Sequence, residues 1–385
     1  MKNRKLVVDL RSRTVEVERG STTRKLVVDL RSRTVEVERG STTRKLVVDL
    51  RSRTPAFRLP DDVAASLVDA TPAGWTTQVV QADTESAGDG SQQPSGESRG
   101  AIGDAEIYFG FGMPRPLWGA ARNLRWIHSA SAGVASLLFP EMLASDVLLT
   151  NSAGVYGEPI AEHVLAGVLF FLRSFDIAGS LQRRGEWNSL VFGTEPAQIR
   201  ELCECRVLVV GAGGIGTHVA RKFAALGATV TGIRRNPAKG TPPGFHRVTG
   251  PDLLDAELPS ADVTVLAAPL TPETRSLLTA RRLALLPPAA IVCNVARGAL
   301  IDEPALAAAL QLGRLRGAVL DVFSREPLAS DSPLWHLPRV LQTPHVAGVS
   351  PRLFWGRLSA LFLDNFTRYR AGDPLRNLVD KKAGY

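Results

Sequence analysis

The stretch "CRVLVVGAGGIGTHVARKFAALG", residues 205–227, limits the possible folds of this chain more than any other. A short apolar run reads as a strand, and Gly211, Gly213 and Gly216 follow it directly in G-x-G-x-x-G spacing. Ile215, Val219, Phe223 and Leu226 then recur on one helical stripe. Each glycine has its own task in such a unit: the first permits a tight turn, the second lets backbone approach a pyrophosphate, and the third allows close helix packing. Amides of Gly214 and Ile215, at the start of the helix, would face the phosphates. This context selects a doubly wound α/β fold with a dinucleotide ligand.

The next strand, "ATVTGI", runs into Arg234 and Arg235, in the register where NAD sites place an Asp or Glu on the ribose hydroxyls. An arginine accepts no hydrogen bond, but its fork of charged donors pairs with a 2′-phosphate. NADP is therefore the expected cofactor, with NAD as second choice.

Further along, "ADVTVLAAP", "AAIVCNVA", "GAVLDVF" and "RVLQTP" are near-continuous apolar runs separated by helical or loop segments. Such runs indicate strands buried on both faces of a parallel sheet. Upstream, "KLVVDL", "AEIYFGFG", "RWIHSASAG" and "DVLLTNSAG" read as strands of a first domain beginning near residue 44, with 82–103 as an exposed Gly/Ser-rich loop. A helical pattern covers 160–173, and "VLAGVLFFL" within it is shorter than the roughly 20 residues a membrane span needs, so a buried helix is expected. The helical tail "GRLSALFLDNFTRYRAG" has no place in the second sheet and is expected to pack back on the first domain.

Residues 4–23 recur without a single change as 24–43, and a third copy starts at 44 and departs at Pro55. Structural repeats tolerate drift at exposed positions, so a duplicated beginning of the reading frame is the simpler reading. A poorly ordered or edge-pairing appendage without catalytic role is expected, each copy pairing "LVVDL" with "TVEVE". Of the net charge of +8, five units belong to residues 1–43, which hold 11 Lys and Arg against 6 Asp and Glu. The remainder is too evenly balanced to argue for nucleic acid. Three cysteines and the lack of a signal-peptide pattern fit a reduced, cytoplasmic setting with no membrane or metal partner.

Ligands of open α/β sheets lie beyond the carboxyl ends of the strands. There Arg297, Glu326 and His345 emerge after three successive strands. Nicotinamide exchanges hydride with carbon, so its substrate must exchange a proton on oxygen, a task suited to histidine. A carboxylate orients that imidazole, and an arginine holds a substrate carboxylate and polarises its carbonyl. Of the other histidines, His163 lies on the apolar helix, His128 on a first-domain strand, His246 and His336 in loops, and His218 near the glycine turn without an evident acidic partner.

"VVGAGGIG", "PLTPETRSLL", "NVARGALID", "LDVFSREPL" and "TPHVAG", with "NSAGVYGEPIAEHVLAGVLFFLR" before them, resemble in order the motifs of the D-isomer-specific 2-hydroxyacid dehydrogenase family. The resemblance implies Arg297 as substrate binder, Glu326 as partner of the acid/base His345, Asp321 at the nicotinamide carboxamide, Pro269 along the cofactor, and Phe111 and Gly112 as substrate-binding backbone. It further implies a Rossmann-like cofactor domain (156–348) inserted into a discontinuous, flavodoxin-like substrate domain (44–155 and 349–385), a cleft between them, a homodimer, and a small 2-keto or 2-hydroxy acid as substrate. Within the family the alternatives are a glyoxylate/hydroxypyruvate reductase or a phosphoglycerate dehydrogenase; Glu326 argues against the formate dehydrogenase branch, which has glutamine there. A nucleotide-sensing, corepressor-like binding module is the alternative from another class. Pocket size is expected to depend on first-domain loops and on Trp355 or neighbouring aromatics.

Overall fold

The computed structural model describes residues 44–83, 94–194, 197 and 199–384, and the backbone of four strands within 5–38. Those four, β1 (Lys5–Asp9), β2 (Thr14–Arg19), β3 (Thr22–Asp29) and β4 (Thr34–Glu38), form an antiparallel sheet of their own in that order. The pairing repeats with the sequence: Lys5 lies opposite Glu18 as Lys25 lies opposite Glu38. Each copy thus pairs locally as expected. Among the described residues the four strands form a separate sheet and do not extend the first domain's sheet, in place of the expected edge pairing; β2 and β3 join the two copies.

The first domain's sheet contains β5 (Arg44–Asp49), β6 (Trp75–Val79), β7 (Ile107–Gly110), β8 (Trp126–Ser129) and β9 (Leu148–Thr150), all parallel in the order β6-β5-β7-β8-β9. This is the flavodoxin-like strand order. The second sheet contains β10 (Arg206–Val210), β11 (Thr229–Ile233), β12 (Arg247–Thr249), β13 (Val263–Leu266), β14 (Ile291–Asn294), β15 (Gly317–Leu320) and β16 (Val340–Gln342). It is parallel throughout, in the order β12-β11-β10-β13-β14-β15-β16. Strand order reverses between β10 and β13, so the crevice that accepts a ligand opens at their carboxyl ends.

Burial explains why these segments are strands. Every residue of β13, β14 and β15 is buried, which a helix-covered parallel sheet requires. The helix Gly157–Leu172 supplies one cover, burying Val164, Val168, Phe171 and Leu172, and Gly167 lets it approach so closely that a methyl group there would lie 2.6 Å from Val319. Among the described residues no single helix is long and apolar enough to cross a membrane.

The C-terminal helix Phe354–Ala371 returns to the five-stranded sheet, where Phe362 stacks on Phe109 with ring centroids 4.1 Å apart and interplanar angle 9°. It stops at Gly372, whose φ of 76° is the left-handed conformation of a helix C-cap. The chain then pairs with β9, Val379 donating to the Leu149 carbonyl at 2.8 Å.

Two strands and a helix differ from expectation. β6 and β12 are edge strands with mostly half-exposed residues, so they lack the apolar signature. Within the segment read as a loop, Gly96–Ile102 is helical, started by Ser95, whose hydroxyl accepts from the Ser98 amide at 2.9 Å, and anchored by buried Ala101 and Ile102. Residues 84–93 of that segment lie outside the described residues.

Candidate active site

The glycine turn joins β10 to the helix Gly214–Ala225. Gly211 has φ of 109° and sits against the Ala267–Ala268 backbone, where a Cβ would come within 2.6 Å. A Cβ on Gly216 would lie 2.0 Å from the Gly211 carbonyl oxygen, so only glycine allows the helix to start this close to the strand. At Gly213 a Cβ would meet nothing within 4 Å, which leaves open space in front of the first helical amides. Turn, open approach and tight packing therefore fall on the three expected positions, and the cradle suits a pyrophosphate. Ile215 packs inward on the core, while Pro269 is exposed beyond β13.

Arg234 and Arg235 follow β11 on the same carboxyl edge. Arg234 is fixed by its own amide on the Thr249 carbonyl (3.0 Å) and by Nη1 on the Gly240 carbonyl (3.2 Å). Arg235 is half-exposed, 3.9 Å from the Glu273 carboxylate. Asn236 then closes the turn by accepting from the Ala238 amide at 3.1 Å. The two arginines thus follow β11 beside the glycine turn, whose Gly211 and Ala212 amides donate to the Ile233 carbonyl at 2.8 and 3.1 Å, and a guanidinium only donates.

Beyond β14, β15 and β16 the three chemical side chains converge. Glu326 Oε2 accepts from His345 Nδ1 at 2.7 Å, and its Oε1 accepts from the Phe323 amide at 3.0 Å. Burial alone would raise the Glu326 carboxyl, but these two hydrogen bonds and the charges of His345 and Arg297 hold it below the usual carboxylate range. An ionised carboxylate only accepts, so His345 Nδ1 carries a proton and Nε2 is the nitrogen left to exchange one. His345 and Glu326 remain partly exposed. Arg297 is largely buried, which pulls its guanidinium down from the ordinary arginine value while the Glu326 charge opposes this.

Glycine and asparagine set these loops. A Cβ on Gly298 would collide with the Phe323 carbonyl carbon at 1.8 Å, so the loop carrying Arg297 rests directly on the segment that holds Glu326. Buried Asn294 ties the Arg297 loop from within, donating to the Arg297 carbonyl at 2.9 Å and accepting from the Ala296 amide at 3.2 Å. On the first-domain side Gly133 faces Arg297: a side chain there would come within 2.2 Å of Nη2. Tyr156 bridges the halves by donating to the Ala130 carbonyl at 2.7 Å.

Asp321, expected at the carboxamide, is engaged in hydrogen bonds within the protein. Its buried carboxylate accepts from the Thr343 hydroxyl (2.6 Å) and from the Val346 and Ala347 amides (2.8 and 2.9 Å), fastening the loop around His345. Phe111 is buried against Phe57 at the end of β7, and its carbonyl accepts from the Ser129 and Ser131 hydroxyls, which fixes the turn into Gly112. Trp355 is buried in the first-domain core, edge-on to Phe354 with ring centroids 5.0 Å apart.

His218 has the acidic partner that sequence reading missed: Glu158, 60 positions away, lies 2.9 Å from Nδ1 and also binds Lys222 at 2.8 Å. The two helices meet there because Gly157 has no side chain to strike the His218 ring. Only tertiary packing reveals such a pair.

Comparison with known proteins agrees with this geometry. Residues 165–347 match the model of the D-isomer specific 2-hydroxyacid dehydrogenase NAD binding domain. Glyoxylate/hydroxypyruvate reductase A of Escherichia fergusonii is 34% identical over 273 residues, 69% of this chain and 83% of that protein. The D-isomer specific 2-hydroxyacid dehydrogenase of Xanthobacter autotrophicus, solved with NADPH and MES, is 31% identical with a TM-score of 0.72, covering 89% of this chain and 100% of the other. The NADPH-dependent glyoxylate/hydroxypyruvate reductase of Sinorhizobium meliloti, solved with NADP and sulfate, is 28% identical with the same TM-score and the same coverages. By its glycine cradle, its Arg–Glu–His convergence and these likenesses, the chain belongs to the D-isomer specific 2-hydroxyacid dehydrogenase family.

Proposed function

We propose that this protein is an NADPH-dependent reductase of small 2-keto acids, reversible as a D-2-hydroxyacid dehydrogenase, with glyoxylate and hydroxypyruvate as the first substrates to test. The observation that carries the reading is the 2.7 Å contact between His345 Nδ1 and Glu326, beside Arg297 and at the carboxyl ends of adjacent strands.

Gly211, Gly213 and Gly216, with the amides of Gly214 and Ile215, would hold the pyrophosphate, Arg234 and Arg235 the 2′-phosphate, and Pro269 and Asp321 the remainder of the dinucleotide. When bound, the reduced nicotinamide supplies hydride to the substrate carbon. Arg297 binds the substrate carboxylate and withdraws electron density from the neighbouring carbonyl. Backbone at Phe111 and Gly112 orients the same carboxylate from the opposite domain. His345 donates the proton from Nε2 to the carbonyl oxygen and recovers it from solvent, while Glu326 keeps the ring oriented and supports the charged imidazole.

Residues 44–155 and 349–385 act in this reading as the substrate domain and 156–348 as the cofactor domain. The enzyme works as a cytoplasmic homodimer; sedimentation at the mass of a single 41.4 kDa chain would refute the dimer. A spectrophotometric panel of glyoxylate, hydroxypyruvate, pyruvate and bulkier 2-keto acids, each with NADPH and NADH, tests the function. Rapid NADPH oxidation with one of the small acids is expected. Negligible turnover across the panel would instead favour a nucleotide-sensing binding module.

A further inference from the structure

His345 has φ of 56°, a left-handed conformation that a residue with a side chain enters only at an energetic cost and keeps only when its surroundings hold it there. The flanking backbone shows what does so. The His345 amide donates to the Asp321 carbonyl at 2.9 Å, and the Asp321 carboxylate grips Thr343 on one side and Val346 and Ala347 on the other. Thr343 has a single hydroxyl proton, and the 2.6 Å contact commits it to Asp321. The Thr343 oxygen therefore accepts from its other neighbour, His163 Nε2 at 3.2 Å.

We infer that His163 is a positioning residue for His345: from the helix Gly157–Leu172 it donates to Thr343, completes the hydrogen-bond set around that hydroxyl and fixes the two-sided grip of Asp321 on the acid/base loop. This rests on the reading of His345 as the acid/base group. His163 touches neither substrate nor cofactor in this scheme; it acts through Thr343 and Asp321.

The test compares His163→Leu with His163→Gln, whose amide can still donate to Thr343. The leucine variant should lose about five- to tenfold in kcat/KM for the 2-keto acid, the worth of one part-buried hydrogen bond. Its Kd for NADPH should stay within about twofold. The glutamine variant should recover most of the loss. Ring resonances of His345 in histidine-labelled protein provide a readout without turnover: they should move in His163→Leu and return in His163→Gln. Wild-type kcat/KM and unmoved His345 resonances in the leucine variant, or a loss that glutamine leaves unrepaired, would overturn the inference. A wild-type enzyme inactive on every 2-keto acid would refute the functional reading instead, and the His345 resonances would still decide the positioning role.

A second inference comes from the repeat. The eleven residues "RKLVVDLRSRT" stand at 4–14, 24–34 and 44–54, and the third copy supplies β5, a central strand. Within β5 and just beyond it, Leu46, Val47, Val48 and Leu50 are fully buried, Lys45 pairs with Asp104 at 2.7 Å, Tyr108 donates to Asp49 at 3.0 Å, and Arg44 pairs with Glu106. All of these partners lie outside the repeat. The copy at 24–34 offers the same residues in the same order. Were it to fill the slot, residues 35–54 would form an excluded loop identical in sequence to 15–34, whose strands pair with each other as Val15 opposite Leu26. Such a loop closes on itself, and loop cost grows only with the logarithm of length.

We propose that the copies are interchangeable occupants of the β5 position. In the full chain, Val48→Asp should leave folding and kcat/KM within about twofold, because the intact second copy replaces the damaged one. The triple variant Val8→Asp, Val28→Asp, Val48→Asp should fail to fold. Unfolding of the single variant, or survival of the triple, would contradict the proposal.

Discussion

His128 shows how a buried ionisable group becomes a measurable pH dependence. Trp126 donates to the Thr150 hydroxyl oxygen at 2.8 Å, which directs the Thr150 proton to His128 Nδ1 at 2.7 Å. Nε2 then carries the ring proton and faces the Ser152 oxygen at 3.4 Å, whose own proton goes to the Ser129 carbonyl. Burial of this neutral ring pushes its pKa down to about 3. The unfolded chain protonates near 6.5, so stability from this residue is complete above about pH 6.5 and is lost as pH falls toward 3. Between pH 7 and 5 the loss should be about 2 kcal/mol. Urea unfolding at the two pH values should show that much less pH dependence in His128→Gln than in wild type; equal pH dependence would refute the assignment. In the cofactor domain, Arg234→Asp with Arg235→Ala should lower the ratio of kcat/KM for NADPH over NADH by about tenfold or more, since charge-assisted bonds to the phosphate are lost. An unchanged ratio would show that neither arginine recognises the phosphate.

At the scale of elements, the contact between the loops after β14 and β15 is the one most exposed to a single methyl group. Gly298→Ala would drive a Cβ into the Phe323 backbone, whose amide holds Glu326. The strain should cost about 1–3 kcal/mol, lowering Tm by several degrees, and kcat should fall with it. A variant with wild-type Tm and kcat would show that the loops do not depend on this approach. The largely buried strands β10, β11 and β13 to β15 were legible because continuous apolar runs have few other outcomes, and the glycine spacing reported its own geometry. Edge strands β6 and β12 were not, since half-exposed residues carry no such run. The Arg297, Glu326 and His345 set was visible from strand-end placement alone. The links from His163 to Thr343, Glu158 to His218 and Gly133 to Arg297 join residues far apart in sequence, and nothing local marks them.

For the whole molecule, two parallel sheets with different strand orders place their loops around one crevice, and the C-terminal helix returns to close the first. The strand alternation forecast both sheets; the return of the tail followed from its lack of a place in the second. Sequence identity between copies also marked residues 1–43 as additional to this architecture. Their deletion should leave kcat/KM within about twofold, because all proposed catalytic groups lie beyond residue 110; loss of activity would give the leader a role. The central claim, that His345 with Glu326 and Arg297 forms the reacting centre of an NADPH-dependent 2-keto acid reductase, is tested most directly by His345→Gln. NADPH oxidation with the best small 2-keto acid should fall by about 100-fold or more in kcat while Kd for NADPH stays within about twofold. Near-wild-type turnover in that variant would contradict the account.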